Sequence, residues 1–454
     1  MSERLASFKA YDIRGRVPDE LNEDMAYKLG RAYAWAIKPQ APVAVGRDIR
    51  LSSGELATAL INGLNDGGVD TRDIGLCGTE MVYYAAGRDG MGGGIMVTAS
   101  HNPMDYNGMK LVRTGSVPIS GDSGLNELEK MVRNNDVGEK AVTPGRNQEE
   151  DLVEEYVEKL LTFIDVDKLK PMKIVVNPGN GCAGPIVDRL AEKLPFEFIR
   201  INHQPDGTFP NGIPNPLLEE NRQATAAPVK TDKAHLGIAW DGDFDRCFFF
   251  TENGDFADGY YMVGLFASHI LKTCPGEKII HDPRMTWNTI EMVKEAGGVP
   301  VQSKTGHAFV KERMRKENAV YGGEMSAHHY FRDFTYCDSG MIPWLLLTEQ
   351  MSVTDRKLSD LIRERRARYP SSGEINSRVA NAEETIEKVR QTYKNDATKE
   401  EFVDGLSMEF ADKWRFNLRS SQTEPILRLN VEAKADEELM RSKTEELLAL
   451  IKGD

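Results

Sequence analysis

Three stretches of the chain carry the same order of apolar and polar positions. Each has about four apolar or β-branched residues, a polar loop, a run with apolar positions near i, i+3, i+4 and i+7, and a Gly-rich return. They are VAVGRDIRLSSGELATALINGLNDGGVD from Val43, KIVVNPGNGCAGPIVDRLAEKL from Lys173 and KIIHDPRMTWNTIEMVKEAGGVPV from Lys278. A short apolar run followed by helical periodicity predicts a strand feeding a helix, the unit of parallel, doubly wound sheets. Each copy is followed by another short apolar run that ends in a dense polar motif: GGGIMVTASHNP, HLGIAWDGDFDR and NAVYGGEMSAHH. Open α/β sheets bind ligands beyond the carboxyl ends of their strands, so the three motifs are where chemistry is expected.

Changes in the pattern give the boundaries. Residues 134–151, NNDVGEKAVTPGRNQEED, are polar and turn-rich, and DLVEEYVEKLLTFI then predicts a helix with Leu152, Tyr156, Leu160 and Ile164 on one face. An Asn-Gly turn after DGDFDRCFFF marks a second boundary, and Pro and Ser in RYPSSGEIN interrupt a helical pattern at a third. The expected domains are residues 1–150, 151–256, 257–369 and 370–454. The last differs in kind: a helix around Glu383 to Tyr393 is followed by DGLSMEF and DKWRFNL, which alternate as a hairpin or meander would. ILRLNVEA then sets Leu427, Leu429 and Val431 on one face, and a helix closes a small α+β domain.

Composition narrows the function classes. The 454 residues are 40% apolar and 28% charged, which is ordinary for a soluble globular protein of roughly three domains. Neither an apolar run of membrane-spanning length nor a secretory signal is visible. Cys77, Cys182, Cys247, Cys274 and Cys337 show no paired spacing, which argues for a reducing, cytoplasmic setting without a zinc site. With 57 Lys and Arg against 71 Asp and Glu, the formal charge is −14, a poor match to nucleic acid or an anionic membrane.

The motifs carry the chemistry. DGDFDR sets Asp241, Asp243 and Asp245 at i, i+2 and i+4, a donor set suited to a hard divalent cation such as Mg²⁺, with Arg246 beside it. An EF-hand shares these spacings but has Gly where Arg246 stands. A haloacid-dehalogenase aspartyl site expects a different strand–loop context, and a solvated acidic turn is disfavoured by the apolar strand ahead. TASHNP puts Ser100 at a strand end after a Gly-rich approach. Ser100 next to His101 suggests a Ser-His hydrolase, but adjacent side chains seldom face each other and there is no GxSxG elbow, so a capped turn is the plain alternative. RSSQTEPILR supplies Ser420, Ser421 and Thr423, loop amides, Arg419 and Arg428, which suit phosphate, or else a polar hairpin turn. GEMSAHH offers Glu324, Ser326, His328 and His329 to sugar hydroxyls, at a spacing unlike that of a zincin helix.

In this order TASHNP, DGDFDR, GEMSAHH and RSSQTEP resemble the phosphoserine, metal, sugar and phosphate loops of the α-D-phosphohexomutase superfamily, a likeness that covers essentially the whole chain. KAYDIRG near the start, NGMK ending at Lys110 and KTGH ending at His307 are similar to further signatures of that superfamily. The resemblance implies three homologous doubly wound α/β domains plus a C-terminal α+β domain around a central cleft. Met325 in GEMS resembles the phosphomannomutase and phosphoglucomutase branch, since phosphoglucosamine mutases usually show GEQS, and GEMSAHHYFRDFTYCDSGMIPWL is similar to bacterial phosphomannomutases. Two departures are Gln422, where Asn or Gly is commoner, and Arg284, where some relatives carry Lys.

The implied activity is the reversible conversion of mannose 6-phosphate and mannose 1-phosphate, an isomerase reaction feeding GDP-mannose and polysaccharide synthesis. Phosphoglucomutase and phosphoglucosamine mutase are the nearest alternatives. The resemblance implies that Ser100 is a phosphoserine that passes its phosphoryl group to the substrate and recovers one from a hexose 1,6-bisphosphate. It implies Mg²⁺ held by Ser100, Asp241, Asp243 and Asp245, and acid/base work by Lys110, with His307 and His101 next. Lys110 can serve only if Arg14 and Arg246 depress its pKa toward neutrality. Arg419, Ser421 and Thr423 are the implied grip on the phosphate that is not reacting, Glu324 and Ser326 the implied groups for ring hydroxyls, and Arg246, Arg284, His328, Gln422 and Arg428 further implied substrate-binding groups. A turning bisphosphate further implies a mobile fourth domain. A phosphatase would use the same nucleophile with water as acceptor, whereas a sugar-phosphate sensor would need neither Ser100 nor the three aspartates. Hexose phosphates are the expected partners, and the oligomeric state is left open.

Overall fold

The structure, a computed structural model, describes residues 4–420 and 426–453. The chain falls into two compact units, Met1–Phe256 with His328–Asp355, and Ala257–Ala327 with Arg356–Asp454.

In the first unit the apolar run at Val43 is the strand Val43–Arg47, which lies between the parallel strands Thr71–Leu76 and Gly93–Val97. Val43, Ala44 and Val45 are wholly buried, as expected for a strand covered on both faces. Helices Glu23–Ile37 and Ser53–Asp66 bury Leu29, Ala32 and Tyr33 together with Leu56, Leu60 and Leu64 in one core. Each of these leucines contributes about 1.5–3 kcal/mol by leaving water. The second copy repeats the plan, with Met172–Asn177 between Phe196–Arg200 and Leu236–Trp240. In the second unit Lys278–His281 lies between Val299–Gln302 and Tyr321–Gly323.

In all three sheets the strand leading into a polar motif therefore lies beside the strand that opens the repeat, with the intervening strand on the opposite side. Chain direction diverges there, which leaves a crevice at the carboxyl ends. The first two sheets add antiparallel returns to this parallel, doubly wound plan. After TASHNP the chain returns directly as the strand Tyr106–Arg113, antiparallel to Gly93–Val97, and after DGDFDR as Cys247–Phe250, antiparallel to Leu236–Trp240. A short return permits only an antiparallel neighbour.

The helix expected from residue 151 is Val153–Leu161, with Leu152, Tyr156 and Leu160 buried, while Ile164 lies beyond its end and is half-buried. The last sheet belongs to the second unit, in the order Ser371–Arg378, Ile426–Ala433, Trp414–Ser420, Leu406–Phe410 and Lys399–Glu401. Leu427, Leu429 and Val431 are buried, as their alternation required. Helices Ala382–Tyr393 and Glu437–Lys452 are capped by the side chains of Asn381 and Asp436. No helix among the described residues is long and apolar enough to cross a membrane, and all five cysteines are free.

Candidate active site

Ser100 stands just past the end of Gly93–Val97 with φ +52°, a left-handed conformation uncommon for a residue that carries a Cβ. Thr98 Oγ1 accepts the Ser100 amide at 2.9 Å. Arg50, buried three residues beyond Val43–Arg47, fixes the loop from below. Its guanidinium donates to the carbonyls of Ser100 (3.0 Å), Asn102 (2.6 Å), Pro103 (2.7 Å) and Tyr106 (2.9 Å), and it pairs with Asp48 at 3.4 Å. Gly108 of NGMK lets the returning strand pass, because a Cβ there would sit 2.2 Å from the Ile13 carbonyl. Arg14 is tied to the same loop, donating to Asp12 at 2.8 Å and to the Asn102 side chain at 2.8 Å.

The left-handed turn corrects one expectation. Ser100 Oγ and His101 Nδ1 do face each other, 3.0 Å apart, because positive φ folds the chain back between them. Ser100 Oγ also donates to Asp241 Oδ2 at 2.9 Å. Arg246 donates to the same Asp241 oxygen through Nε (2.9 Å) and Nη2 (2.7 Å), and its Nη2 also meets His101 Nδ1.

Asp241, Asp243 and Asp245 are buried, and each offers a carboxylate oxygen within 4.8 Å of the others. Asp243 Oδ2 accepts from Thr79 Oγ1 (2.5 Å) and Lys110 Nζ (2.7 Å), and Asp245 Oδ2 accepts from Lys110 Nζ (2.5 Å). Asp243 Oδ1 and Asp245 Oδ1 are buried without a hydrogen bond. Buried carboxylate oxygens are normally satisfied, so two unmet oxygens in a convergent, all-oxygen set fit a hard divalent cation.

Electrostatics divide the candidates. Burial raises Asp241 to about 6 against the pull of Arg246. Burial also works to raise Asp245 but is outweighed by Lys110 and His328, which bring it down to about 2. Lys110 departs from expectation. Burial alone would lower its pKa, yet Asp243 and Asp245 hold it above its ordinary value, so Arg14 and Arg246 do not make it a neutral base. Its ammonium neutralises Asp243 and Asp245. His101 is held well below the usual histidine range by burial and then by Arg246 and Arg14, leaving an uncharged ring at Ser100. His328 Nδ1 lies 2.9 Å from Asp338 Oδ2, within the reach of Asp245 as well. Burial would discharge His328, but Asp338 and Asp245 raise its pKa. His329 is buried, and burial brings its pKa down to about 3.

In the second unit Arg284 is buried against Asp282, Nη2 to Oδ2 at 2.6 Å, and reaches Ser326 Oγ at 3.4 Å and Glu324 at 3.8 Å. Asp282 also accepts the Met325 amide at 2.9 Å. Glu324 accepts the Gly306 amide at 2.8 Å, which joins the KTGH loop to the GEMS loop, and His307 opens the helix His307–Glu317. Arg419 and Arg428 both bond Glu374, at 3.0 and 3.2 Å. Ser421, Gln422 and Thr423 lie outside the described residues. Sequence reasoning missed Arg50, Asp48, Thr79, Asp282, Asp338 and Glu374. For Arg50, Thr79 and Asp282 the available signal was position, since each follows the carboxyl end of a strand.

Sequence profiles described as phosphoglucomutase/phosphomannomutase, alpha/beta/alpha domains I, II and III, match residues 5–138, 154–254 and 258–369. The profile of the C-terminal domain of the same family matches residues 374–449. A phosphomannomutase of Escherichia coli (strain K12) is 54% identical over 455 residues, covering 99% of this chain and 99% of its own. A protein named "phosphohexose mutases" from Xanthomonas campestris pv. campestris (strain B100) is 56% identical over 449 residues, covering 99% and 100%. Among solved structures, a phosphoglucomutase/phosphomannomutase family protein from Burkholderia thailandensis superposes with a TM-score of 0.87 at 34% identity, over 99% of this chain and 98% of that one.

Proposed function

The chain belongs to the phosphoglucomutase/phosphomannomutase family, and on that premise we propose that it is a phosphomannomutase, interconverting mannose 6-phosphate and mannose 1-phosphate. The observation that carries the reading is the Ser100 hydroxyl on Asp241, at 2.9 Å, in a loop whose Asp243 and Asp245 keep unmet oxygens. Ser100 stores the phosphoryl group, passes it to the free hydroxyl of the hexose monophosphate and takes the other phosphate back from the resulting hexose 1,6-bisphosphate.

The residues divide the work as phosphoryl transfer requires, by positioning and by charge. Asp241, Asp243 and Asp245, with Ser100, are the residues that would hold Mg²⁺. Bound there, the ion would supply positive charge to the transferring oxygens. Arg50 holds the four carbonyls of the loop and so fixes the direction of Ser100 Oγ. Arg246 and Arg14 supply fixed positive charge around His101 and, with burial, oppose protonation of its ring, whereas Asp243 and Asp245 favour the ammonium of Lys110. Lys110 balances the aspartates. Arg284, Arg419 and Arg428 bind the phosphate that is not being transferred, and Glu324 and Ser326 take ring hydroxyls.

The test is a paired assay of mannose 6-phosphate and glucose 6-phosphate with Mg²⁺ and a trace of hexose 1,6-bisphosphate. Faster turnover of the mannose phosphate is expected. Equal rates would overturn the mannose preference, and release of inorganic phosphate in place of an isomer would make the protein a phosphatase.

A further inference from the structure

Arg419 and Arg428 are direct cross-strand partners in the antiparallel pair of Trp414–Ser420 and Ile426–Ala433. Like charges placed opposite one another repel, so the pair needs a counter-charge to stand there. It comes from the next strand, where Glu374 lies opposite Asn430, just after a register shift in Ser371–Arg378. Both oxygens of this one carboxylate are used. Glu374 Oε2 lies 3.0 Å from Arg419 Nη2 and 3.5 Å from Arg284 Nη1, and Oε1 lies 3.2 Å from Arg428 Nη1. Burial works against the charged form of Glu374, and the three guanidiniums outweigh it, holding the pKa below the usual carboxylate range.

We propose that Glu374 is a resident anion of the phosphate-binding guanidiniums, a carboxylate that occupies Arg284, Arg419 and Arg428 and is exchanged for a phosphoryl group whenever one binds. This rests on the reading of those arginines as phosphate-binding groups. A phosphate monoester carries about −1.5 to −2 charge and three acceptor oxygens, so it is the stronger partner for guanidinium forks. Its net affinity is nevertheless a difference, because the bonds to Glu374 are given up as those to phosphate form. The consequence suits a reaction whose bisphosphate must let go of one end and present the other. As phosphate leaves, Glu374 takes its place, and no half-buried guanidinium is stranded without a counter-charge. Glu374 thus sets the strength of the grip and not its geometry alone.

The sign of one substitution separates this role from simple bracing. Glu374→Gln keeps the shape and removes the competing charge. It is expected to lower the dissociation constant and the KM for mannose 6-phosphate about tenfold, the scale of one charge-assisted hydrogen bond returned to the ligand. The same variant is expected to lower kcat, because release becomes slower. A brace would give the opposite: weaker binding and a raised KM as the arginines spread apart. Calorimetric titration of mannose 6-phosphate reads the affinity without relying on turnover. Glu374→Asp, which keeps the charge but draws it back, serves if the Gln variant does not fold, with an expected gain in affinity of roughly two- to fivefold. Unchanged or weaker binding in whichever variant melts cooperatively overturns the proposal. Absence of both binding and turnover in the native protein instead overturns the functional reading on which it rests.

Discussion

Ser100 holds a conformation that costs a Cβ-bearing residue about 1–2 kcal/mol, and four hydrogen bonds from Arg50 to the loop carbonyls keep it there. Arg50→Lys cannot reproduce that planar fork. Steady-state kinetics of this variant should show kcat lowered at least about tenfold with KM little changed, as expected when only the direction of the nucleophile is lost; a raised KM with native kcat would contradict the assignment. Lys110 sets a second prediction. Lys110→Met leaves Asp243 and Asp245 buried with less compensation, a loss of about 3–5 kcal/mol that denaturant unfolding would register. Added Mg²⁺ should raise the melting temperature of this variant more than that of the native protein, since the ion takes over the missing charge. At this scale the sequence exposed Asp241, Asp243 and Asp245 because their spacing is itself the chemistry. Arg50 stayed hidden in GRDIR, because the four carbonyls it binds come together only when the loop folds over it.

The helix Thr79–Gly87 begins on two residues that do different work. Thr79 binds Asp243 through its hydroxyl, and its amide donates to the Asp243 carbonyl at 3.0 Å. Glu80 is wholly buried and meets Tyr156, Ser339 Oγ (2.8 Å) and the amides of Gly340 and Met341. Burial pushes its pKa up to about 8 in spite of those donors. A carboxyl raised in the folded state stabilises below its unfolded pKa, and the contribution is lost as pH rises through the folded value. The thermal midpoint of the native protein relative to Glu80→Gln should therefore fall steadily from about pH 5 to pH 8 and level off above it. A difference that stays constant over that range contradicts the assignment. Elements differed in legibility for a physical reason. Gly93–Val97 and Leu236–Trp240 are buried throughout and read as unbroken apolar runs. Ser371–Arg378, SSGEINSR, is an edge strand whose mostly polar side chains hide any alternation, so only its pairing with Ile426–Ala433 defines it.

Across the whole molecule a formal charge of −14 coexists with local positive clusters, since screening over about 8 Å at physiological salt separates them. Arg14, Arg246 and Lys110 gather around Ser100 and the aspartates, and Arg284, Arg419 and Arg428 around Glu374. The sequence offered the overall charge and the motifs separately; Asp12 and Asp282 stand two residues before Arg14 and Arg284, but the pairing of Arg419 and Arg428 with Glu374 needed the fold, because that counter-charge lies outside the motif it serves. Chelation should abolish turnover and added Mg²⁺ restore it, whereas chelator-resistant turnover would remove the metal from the proposal. The central claim is that Ser100 carries the phosphoryl group, and peptide mass mapping of the purified protein beside Ser100→Ala tests it most directly. One phosphoryl mass should fall on the peptide containing Ser100 after incubation with hexose 1,6-bisphosphate, and the variant should lose turnover by about a thousandfold or more. A phosphoryl group on another peptide, with native turnover in Ser100→Ala, would contradict the account.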